Sequence, residues 1–295
     1  MQVVVYAKVL KDKDISYVQE LFDVLFEEGV NVYVHAPYLD DIRNKINFNK
    51  DVAPFESYLD FKLRRIDFVI TLGGDGTILD ATTVVRDSLV PIMGINLGRL
   101  GFLASIERKM IREAIRLLKR DMYEIGERSL LYLESNMPIF DETRFALNDC
   151  TLLKRDTSSM ITIRTYINGA YLSSYWADGI IIATPTGSTG YSLSCGGPII
   201  FPNSGNFVIT PVAPHNLNVR PIVISDSSVI SFEIEGRTDN FLCTLDSRFE
   251  TVSSQHQLAV RRADFNIRLV QLRDFSFLRT IREKLTWGMD SRSRN

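Results

Sequence analysis

The sequence DFVITLGGDGT, at residues 67–77, decides the fold of the first half of the chain. Its β-branched and aromatic residues up to Leu72 predict a buried strand, and the three glycines that follow predict a tight turn. Helical spacing resumes over about 78–86, and the apolar run at 91–96 predicts another strand. A strand, a helix and a further strand in this order are typical of a parallel sheet flanked by helices.

The same alternation of strands and helices extends to both sides of this stretch. Strands are predicted at 3–6 and 31–35, and helices at 14–29, 58–65 and 110–118. We therefore predict an amino-terminal α/β domain over residues 1–125, with a Rossmann-like parallel sheet that contains the glycine-rich turn.

The second half of the chain alternates apolar and polar residues instead. Asn168-Gly169 lies between two such runs at 161–176 and favours a type I′ hairpin turn, because both turn positions need a positive φ. Further strand-like runs lie at 179–183, 229–235, 241–245, 258–262 and 265–270. We predict a carboxy-terminal all-β domain over residues 126–274, antiparallel and sandwich-like. Helical spacing returns at 277–285 and predicts a helix within 275–295 that packs back on the α/β domain.

The composition limits the kinds of partner and compartment. The chain of 295 residues has 34 Lys+Arg and 36 Asp+Glu, whereas a nucleic-acid binder that relies on bulk charge has a clustered basic face. Cys150, Cys195 and Cys243 are widely spaced, which disfavours a disulfide framework and a zinc site. No run approaches the ~18 apolar residues of a membrane span. We expect a cytoplasmic protein without nucleic-acid or membrane partners.

The glycine-rich turn at 73–77 is typical of a site that binds phosphate. Glycines bring backbone N–H groups close to a ligand, and the N-terminus of the following helix favours negative charge. Asp75 stands in the centre of this turn and would repel phosphates unless it binds a metal ion or accepts a proton from a nucleophile. Both roles point to phosphoryl transfer. The alternative is a tight turn in which Asp75 caps the following helix.

Two further polar segments are candidates for ligand binding. Asp178 precedes a strand and a run rich in Gly, Ser and Thr at 184–192, whose hydroxyl and N–H groups can bind ribose, phosphate or an amide. Such a run is also typical of an ordinary loop. Asn148-Asp149 can clamp a diol or an amine, or form a polar turn. The three histidines have no metal-binding spacing, and only His215 is a site candidate.

The order of the motifs resembles that of the NAD kinases. The motifs are GGDGT at 73–77, GINLGRLGFL at 94–103, Asn148-Asp149, Asp178 with TPTGSTGYS at 184–192, Pro214-His215 with Arg220-Pro221, and REKLTWG at 282–288. The first motif alone is not specific, since diacylglycerol kinases, sphingosine kinases and phosphofructokinases have similar turns. The second motif, at this distance from the first, narrows the resemblance to NAD kinases.

The resemblance implies an α/β domain followed by a β domain, in a homo-oligomer that is a dimer or a tetramer. It implies transfer of the γ-phosphoryl group of ATP to the 2′-hydroxyl of the adenosine ribose of NAD, with a divalent metal ion, Mg²⁺ by expectation. By position, Asp75 becomes the proton acceptor. The substrate contacts that it implies are Gly74, Gly76, Thr77, Phe102, Asn148, Asp149, Asp178, Thr189, Gly190, Tyr191, Ser192, Ser194 and His215. It does not identify the metal ligands.

Three residues depart from the pattern of the family that the sequence resembles. Gly190 stands where Ala is usual, Trp176 where bacterial relatives often have Arg, and Arg248 where an amide side chain is frequent. Two other hypotheses stay open. A lipid or sphingoid kinase would need an exposed apolar acceptor cleft or a membrane-binding patch. A non-catalytic NAD-binding sensor would bind NAD without turnover, which makes poor sense of a carboxylate inside a phosphate-binding turn.

Overall fold

The computed structural model describes residues 1–99, 101–155, 159–272 and 276–287. Two members of the quoted motifs, Leu100 and Gly288, therefore lie outside the described residues, as do parts of the predicted segment 275–295. The chain divides into two compact units. Unit 1 is Met1–Glu127 together with the chain from Ile267 on, and unit 2 is Arg128–Asn266. The domain boundaries predicted after residues 125 and 274 are not tested by this division into units and stay predictions.

Unit 1 is built on a parallel sheet. Its strands are β1 (Gln2–Tyr6), β2 (Asn31–His35), β3 (Ala53–Phe55), β4 (Phe68–Leu72), β5 (Ile92–Asn96) and β6 (Ile106–Glu107). Its helices are α1 (Ile15–Glu27), α2 (Ala36–Ile42), α3 (Leu59–Leu63), α4 (Asp75–Val85), α5 (Ile111–Lys119) and α7 (Phe277–Leu285). The strand order is β3-β2-β1-β4-β5-β6, with parallel neighbours throughout. The predicted α/β fold is confirmed.

The central strands of unit 1 explain why this sequence forms a parallel sheet. Every residue of β4 and β5 is buried, which is typical of strands covered by helices on both faces. One face packs against α1, which contributes the fully buried side chains of Leu21, Phe22 and Leu25 to the core. The carboxyl ends of β4 and β5 lie side by side and are followed by the loops at 73–77 and 97–104. In open α/β sheets ligands bind outside the carboxyl ends of the strands.

Unit 2 is antiparallel. Its strands and short helix are β7 (Tyr123–Ser135), β8 (Phe145–Ala146), β9 (Asp149–Lys154), β10 (Ile161–Ile167), β11 (Ala170–Ala177), β12 (Gly179–Ala183), α6 (Tyr191–Ser194), β13 (Asn206–Val212), β14 (Ile222–Ser225), β15 (Ile230–Glu235), β16 (Phe241–Leu245), β17 (Arg248–Val252) and β18 (Leu258–Leu272). The residues of β7 up to Glu127 and those of β18 from Ile267 on belong to unit 1.

Two sheets enclose the core of unit 2. One has the order β14-β13-β12-β9-β16-β17, and the other contains β11-β10-β15-β18. Side chains of both sheets share one core, such as Ile163 and Phe232 from one and Ile180 and Phe207 from the other. The β10–β11 hairpin turns at Asn168-Gly169, where φ is 51° and 80°. The predicted antiparallel, sandwich-like fold is confirmed. In both units, each described helix is too short or too polar to cross a lipid bilayer.

Candidate active site

The carboxylate of Asp75 is held by the loop that follows β5. Its Oδ2 accepts the backbone N–H of Phe102 at 2.8 Å, and its Oδ1 accepts those of Leu103 and Ala104 at 3.0 and 2.9 Å. Gly74, rather than Asp75, is the N-cap of α4, and Asp75 is the first residue of that helix. Asp75 therefore does not cap the following helix, as one hypothesis proposed, but joins two loops at the end of the sheet.

A glycine makes this arrangement possible. A Cβ atom on Gly101 would lie 1.8 Å from Oδ1 of Asp75, so any larger residue would push the carboxylate away from its three donors. Asn96, at the end of β5, folds the same loop, because its side chain donates to the carbonyl oxygen of Arg99 at 2.6 Å and accepts the N–H of Gly98 at 2.7 Å. Asn96 and Gly101 thus shape the loop after β5 so that it holds the carboxylate of Asp75 in one position.

Lys284 brings a positive charge to Asp75. This residue of α7 places its Nζ 3.6 Å from Oδ2 of Asp75 and 4.7 Å from the centre of the Phe102 ring. Phe277, in the first turn of α7, lies 6.3 Å from the same ring, centre to centre. The predicted return of the last helix to the α/β part of the chain is confirmed by these contacts. The role of Lys284 was not identified from the sequence.

In unit 2, a buried carboxylate organises the Asn148-Asp149 turn. Asp246 accepts the backbone N–H of Leu147 at 2.9 Å, of Asn148 at 2.7 Å and of Asp149 at 3.2 Å. Burial raises the pKa of Asp246, and its N–H donors and Arg248 lower it. Asp246 lies about a hundred residues later in the chain, and no local pattern linked it to the turn. In both units a carboxylate accepts three backbone N–H groups of a loop. In unit 1 the carboxylate is the site residue Asp75, whereas in unit 2 the site residues Asn148 and Asp149 lie on the loop and Asp246 holds it.

Asp149 is buried beside Asp246. Its side chain is 7% exposed and accepts a hydrogen bond from the Thr151 hydroxyl at 3.1 Å. Burial, with a further contribution from the charge of Asp246, raises the pKa of Asp149 to about 7. Asn148, its neighbour, has a buried carbonyl oxygen, Oδ1, with no hydrogen-bond partner among the described residues. Buried polar atoms are nearly always hydrogen-bonded, so this oxygen is available to a ligand donor.

The Gly/Ser/Thr segment packs directly on this turn. Thr184 donates its hydroxyl to the carbonyl oxygen of Leu147 at 2.6 Å and its N–H to that of Asn148 at 2.9 Å. A Cβ atom on Gly187 would lie 2.0 Å from the carbonyl oxygen of Asn148, so the backbone needs glycine there. A Cβ on Gly190 would lie 3.7 Å from Nδ2 of Asn148, an ordinary contact distance. The structure thus brings the predicted residues Asn148, Asp149 and Gly190 together.

The other predicted residues of this segment differ in what their side chains face. Tyr191 and Ser194 are exposed. Partial burial of the phenol, with smaller contributions from Cys195, Asp149 and Asp178, raises the pKa of Tyr191. Thr189 donates its hydroxyl to the carbonyl oxygen of Thr186 at 3.1 Å. The hydroxyl of Ser192 is fully buried and 2.8 Å from that of Thr210. Ser192 therefore anchors the segment to Thr210 of β13.

Asp178, Trp176 and His215 have partners within unit 2. Asp178 forms an ion pair with Lys154 at 2.5 Å, and its side chain is one-third exposed. The rings of Trp176 and His215 lie 4.3 Å apart, centre to centre, and the N–H of His215 donates to the carbonyl oxygen of Trp176. Both rings are exposed. Arg248 donates to the carbonyl oxygens of Thr143 and Phe145.

Among the described residues, no group of three or more His, Cys, Asp or Glu side chains is placed to hold a metal ion. Asp75 is the carboxylate nearest the glycine-rich turn, yet both its oxygens accept N–H groups and Lys284 stands next to it. A divalent cation would compete with that ammonium group. The side chains around Asp75 thus do not fit a resident metal ion.

Comparisons with known proteins agree with this architecture. The family model described as ATP-NAD kinase N-terminal domain matches residues 3–123, and that of the ATP-NAD kinase C-terminal domain matches residues 147–272. The chain is 45% identical over 289 residues to the NAD kinase of Cytophaga hutchinsonii, covering 98% of both chains. It is 41% identical over 295 residues to that of Flavobacterium psychrophilum, covering 99% of this chain and 100% of the other.

Two solved structures are similar along the whole chain. An NAD kinase from Archaeoglobus fulgidus, in complex with ATP, has a TM-score of 0.72 and 25% identity, covering 97% of this chain and 99% of that one. Yeast NADH kinase, complexed with NADH, has a TM-score of 0.89 at 24% identity, covering 100% and 90%, which is a likeness of fold.

A parallel sheet with a carboxylate in its glycine-rich turn, together with an antiparallel β unit, agrees with a phosphotransferase of the class that the motifs predicted. Matches of both family models and of full-length relatives narrow that class. The chain belongs to the NAD kinase family, whose members phosphorylate NAD with ATP. The resemblance predicted from the motifs is confirmed, and the lipid kinase and sensor hypotheses are not favoured.

Proposed function

We propose that this chain transfers the γ-phosphoryl group of ATP to the 2′-hydroxyl of the adenosine ribose of NAD, and that Asp75 accepts the proton of that hydroxyl. A bond forms between the ribose oxygen and the γ-phosphorus, and the bond from that phosphorus to the β–γ bridging oxygen breaks. ADP leaves with that electron pair, and the proton passes through Asp75 to solvent. The observation that carries the proposal is the fixed carboxylate at the glycine-rich turn.

The geometry of Asp75 supports hydrogen bonding to a hydroxyl. Its Oδ1 accepts two N–H groups, whereas Oδ2 accepts only one and faces Lys284, which leaves Oδ2 able to accept an O–H. In a loose transition state the nucleophile gains little charge until late, so a weak base that first orients the hydroxyl is sufficient. General-base assistance contributes about 10²–10⁴ in rate, or roughly 3–5 kcal/mol.

We propose that Asn148 and Asp149 bind amine or hydroxyl groups of NAD. The unpartnered Oδ1 of Asn148 is an acceptor for an amine, and the carboxyl of Asp149, whose pKa burial raises to about 7, can donate when protonated and accept when ionised. Ser192 is a positioning residue for the segment above it. The remaining proposed contacts are Gly74, Gly76, Thr77, Phe102, Asp178, Thr189, Gly190, Tyr191, Ser194 and His215.

The metal ion, the compartment and the assembly are also proposals. We expect Mg²⁺ to arrive as the ATP complex, because Mg²⁺ is commonly bound through substrate phosphates with few protein ligands. A cytoplasmic location agrees with three free cysteines. A homo-oligomer, dimer or tetramer, is expected from the family, and light scattering after size exclusion measures it.

One experiment tests the assignment of Asp75. The purified protein is incubated with Mg-ATP and NAD, and NADP is followed with a coupled dehydrogenase. Asp75→Asn is expected to lower kcat at least 100-fold, because general-base assistance has that magnitude, while the Kd for NAD changes only a few-fold. Asp40→Asn, at a side chain that is 79% exposed, is the matched control. If Asp75→Asn lowers the unfolding temperature but keeps kcat, Asp75 anchors its loop and is not the proton acceptor.

A further inference from the structure

Arg248, the first residue of β17, contacts the segment of chain that leads into the Asn148-Asp149 turn. Its guanidinium group donates hydrogen bonds to the carbonyl oxygens of Thr143 and Phe145. It also lies 5.9 Å from the centre of the Phe140 ring and 5.8 Å from that of the Phe145 ring. A planar guanidinium binds two acceptors at once and packs on aromatic rings. Arg248 therefore joins β17 to segment 140–145.

Segment 140–145 has a backbone conformation that needs support from outside. Phe140 and Asp141 have φ values of 53° and 41°, in the left-handed region that residues other than glycine rarely adopt. Glu250 supports the start of the segment, because its Oε1 accepts the N–H of Phe140 at 2.7 Å. Arg248 and Glu250 are two residues apart in one strand, so their side chains lie on the same face. Together they hold both ends of the segment just before the turn.

Arg248 also acts on Asp246, the carboxylate that accepts the N–H groups of the Asn148-Asp149 turn. Asp246 and Ser247 connect β16 to β17, so Arg248 follows this connection directly. Burial raises the pKa of Asp246, whereas its N–H donors and the positive charge of Arg248 lower it. Since an ionised carboxylate binds N–H groups more strongly than a neutral one, the charge of Arg248 strengthens the hold of Asp246 on the turn.

The protonation of Asp149 and Asp246 depends on the charged and titratable groups around this pair. Burial, with a contribution from the charge of Asp246, raises the pKa of Asp149 to about 7. Besides Arg248, the titratable groups that act on the pair are Cys150 of β9 with its neighbour Cys243 of β16, and Tyr191 of α6. Thiols and phenols are ordinarily uncharged at neutral pH, so Arg248 supplies the charge that favours ionisation of the pair.

We propose that Arg248 is a positioning residue for the binding of NAD. It holds segment 140–145 through two carbonyl oxygens and the Asn148-Asp149 turn through Asp246. The turn then presents an amide oxygen and a carboxyl group to NAD in one fixed arrangement. This inference rests on the proposed function, because it concerns the two residues that we assign to NAD. Arg248 acts through the turn and not on the reacting groups, so we expect it to affect the binding of NAD and to leave the transfer step unchanged.

Arg248→Met tests this proposal, because methionine keeps an apolar side chain between the two phenylalanine rings and removes both the charge and the donors. We expect the Kd for NAD, measured by calorimetry on the full chain without ATP, to rise at least about tenfold. The kcat at saturating NAD is expected to stay unchanged, since only binding is lost. Arg237→Met removes the same charge from an exposed arginine of unit 2 and is the matched control, which should bind NAD like the parent.

Arg248→Lys separates the two contributions of Arg248. The ammonium group keeps the positive charge that acts on Asp246 but not the two hydrogen bonds of the guanidinium, so we expect a Kd for NAD between those of the parent and Arg248→Met. The pH dependence of this Kd is a second measurement. Its midpoint should move to higher pH in Arg248→Met, because loss of the positive charge raises the pKa of the carboxyl pair, and should stay at that of the parent in Arg248→Lys.

A merely structural role of Arg248 would give different results. If Arg248→Met lowers the unfolding temperature but keeps the Kd for NAD and the pH midpoint of the parent, the proposal is overturned. A lower kcat with an unchanged Kd would also overturn it, because Arg248 would then act in the transfer step. If Arg248→Met yields no folded protein, a Kd of Arg248→Lys equal to that of the parent overturns the proposal. Binding is measured without turnover, so a parent enzyme that binds NAD but forms no NADP contradicts the proposed function while the role of Arg248 is still tested.

Discussion

Asp75 and Asp149 are two aspartates in opposite surroundings. Asp75, in unit 1, accepts three backbone N–H groups, lies near an ammonium group and is about one-quarter exposed. Asp149, in unit 2, is 7% exposed, accepts one hydroxyl and is next to a second buried carboxylate. Three N–H donors and an ammonium group surround the carboxylate of Asp75, whereas burial and the charge of Asp246 disfavour the ionised form of Asp149. The same side chain is thus suited to orient a hydroxyl in one unit and to exchange hydrogen-bonding roles with a ligand in the other.

The largest expected effect concerns the stability of unit 2 against pH. The pKa of Asp149 is about 7 in the folded state and near 3.8 when unfolded, so between these values the folded chain holds one proton more. The contribution of Asp149 to the free energy of unfolding therefore falls as the pH rises from about 4 to about 7, by about 4 kcal/mol, and levels off above pH 7. The raised pKa of Asp246 acts in the same direction. Urea denaturation at a series of pH values measures this.

Asp149→Asn removes the contribution of Asp149 to that pH dependence. We expect the variant to lose less stability than the parent between pH 5 and pH 7.5, and Asp40→Asn to follow the parent. Parallel curves for Asp149→Asn and the parent would mean that Asp149 is ionised in the folded state. The contrast with Asp75 would then disappear.

The next effect concerns the fixed position of Asp75. Gly101→Ala places a Cβ atom 1.8 Å from Oδ1 of Asp75, so the carboxylate leaves its donors. Because Asp75 would no longer orient the hydroxyl, we expect kcat to fall about 100-fold with a small change in stability. In the double variant with Asp75→Asn, the loss should equal that of Asp75→Asn alone, since both changes remove the same interaction. Additive losses would show that Gly101 acts by another route.

The smallest effects compare two glycines of unit 2. Gly187→Ala forces the backbone away from the carbonyl oxygen of Asn148 and is expected to cost about 1–3 kcal/mol of stability and to weaken NAD binding. Gly190→Ala meets its neighbours at 3.2 Å or more, so we expect less than about 1 kcal/mol and a KM for NAD within a few-fold. Thermal unfolding and NAD kinetics measure both. A large effect of Gly190→Ala would place this departure from the family pattern in the binding site itself.

The elements that were predicted follow from local periodicity and turn residues, but others, such as β7, β9 and β13, were not predicted. The buried strand before Gly73, the helix after Asp75 and the Asn168-Gly169 hairpin are examples of predicted elements. Strand β3 was missed because Pro54 lies in its three residues, and proline is tolerated there since β3 is the edge of the sheet.

The partners of the site residues were not predictable in the same way. Which N–H groups hold Asp75, and which carboxylate holds the Asn148 turn, depend on contacts 27 to 99 residues apart in sequence. No period or spacing records such contacts. The motifs show that Asp75 and Asp149 stand in special turns, and only the packed structure distinguishes their electrostatic surroundings.

The division of the chain has a consequence for synthesis on the ribosome. Unit 2 is one continuous segment, but unit 1 also needs Ile267–Leu272, where Leu269 pairs with Ile92, and the helix that carries Lys284. Residues 1–127 therefore need Ile267–Leu272 and α7, which are translated only after unit 2, before unit 1 is complete. The β unit can finish folding earlier, and a chain shortened after residue 266 would leave the α/β unit without its final strand and its lysine.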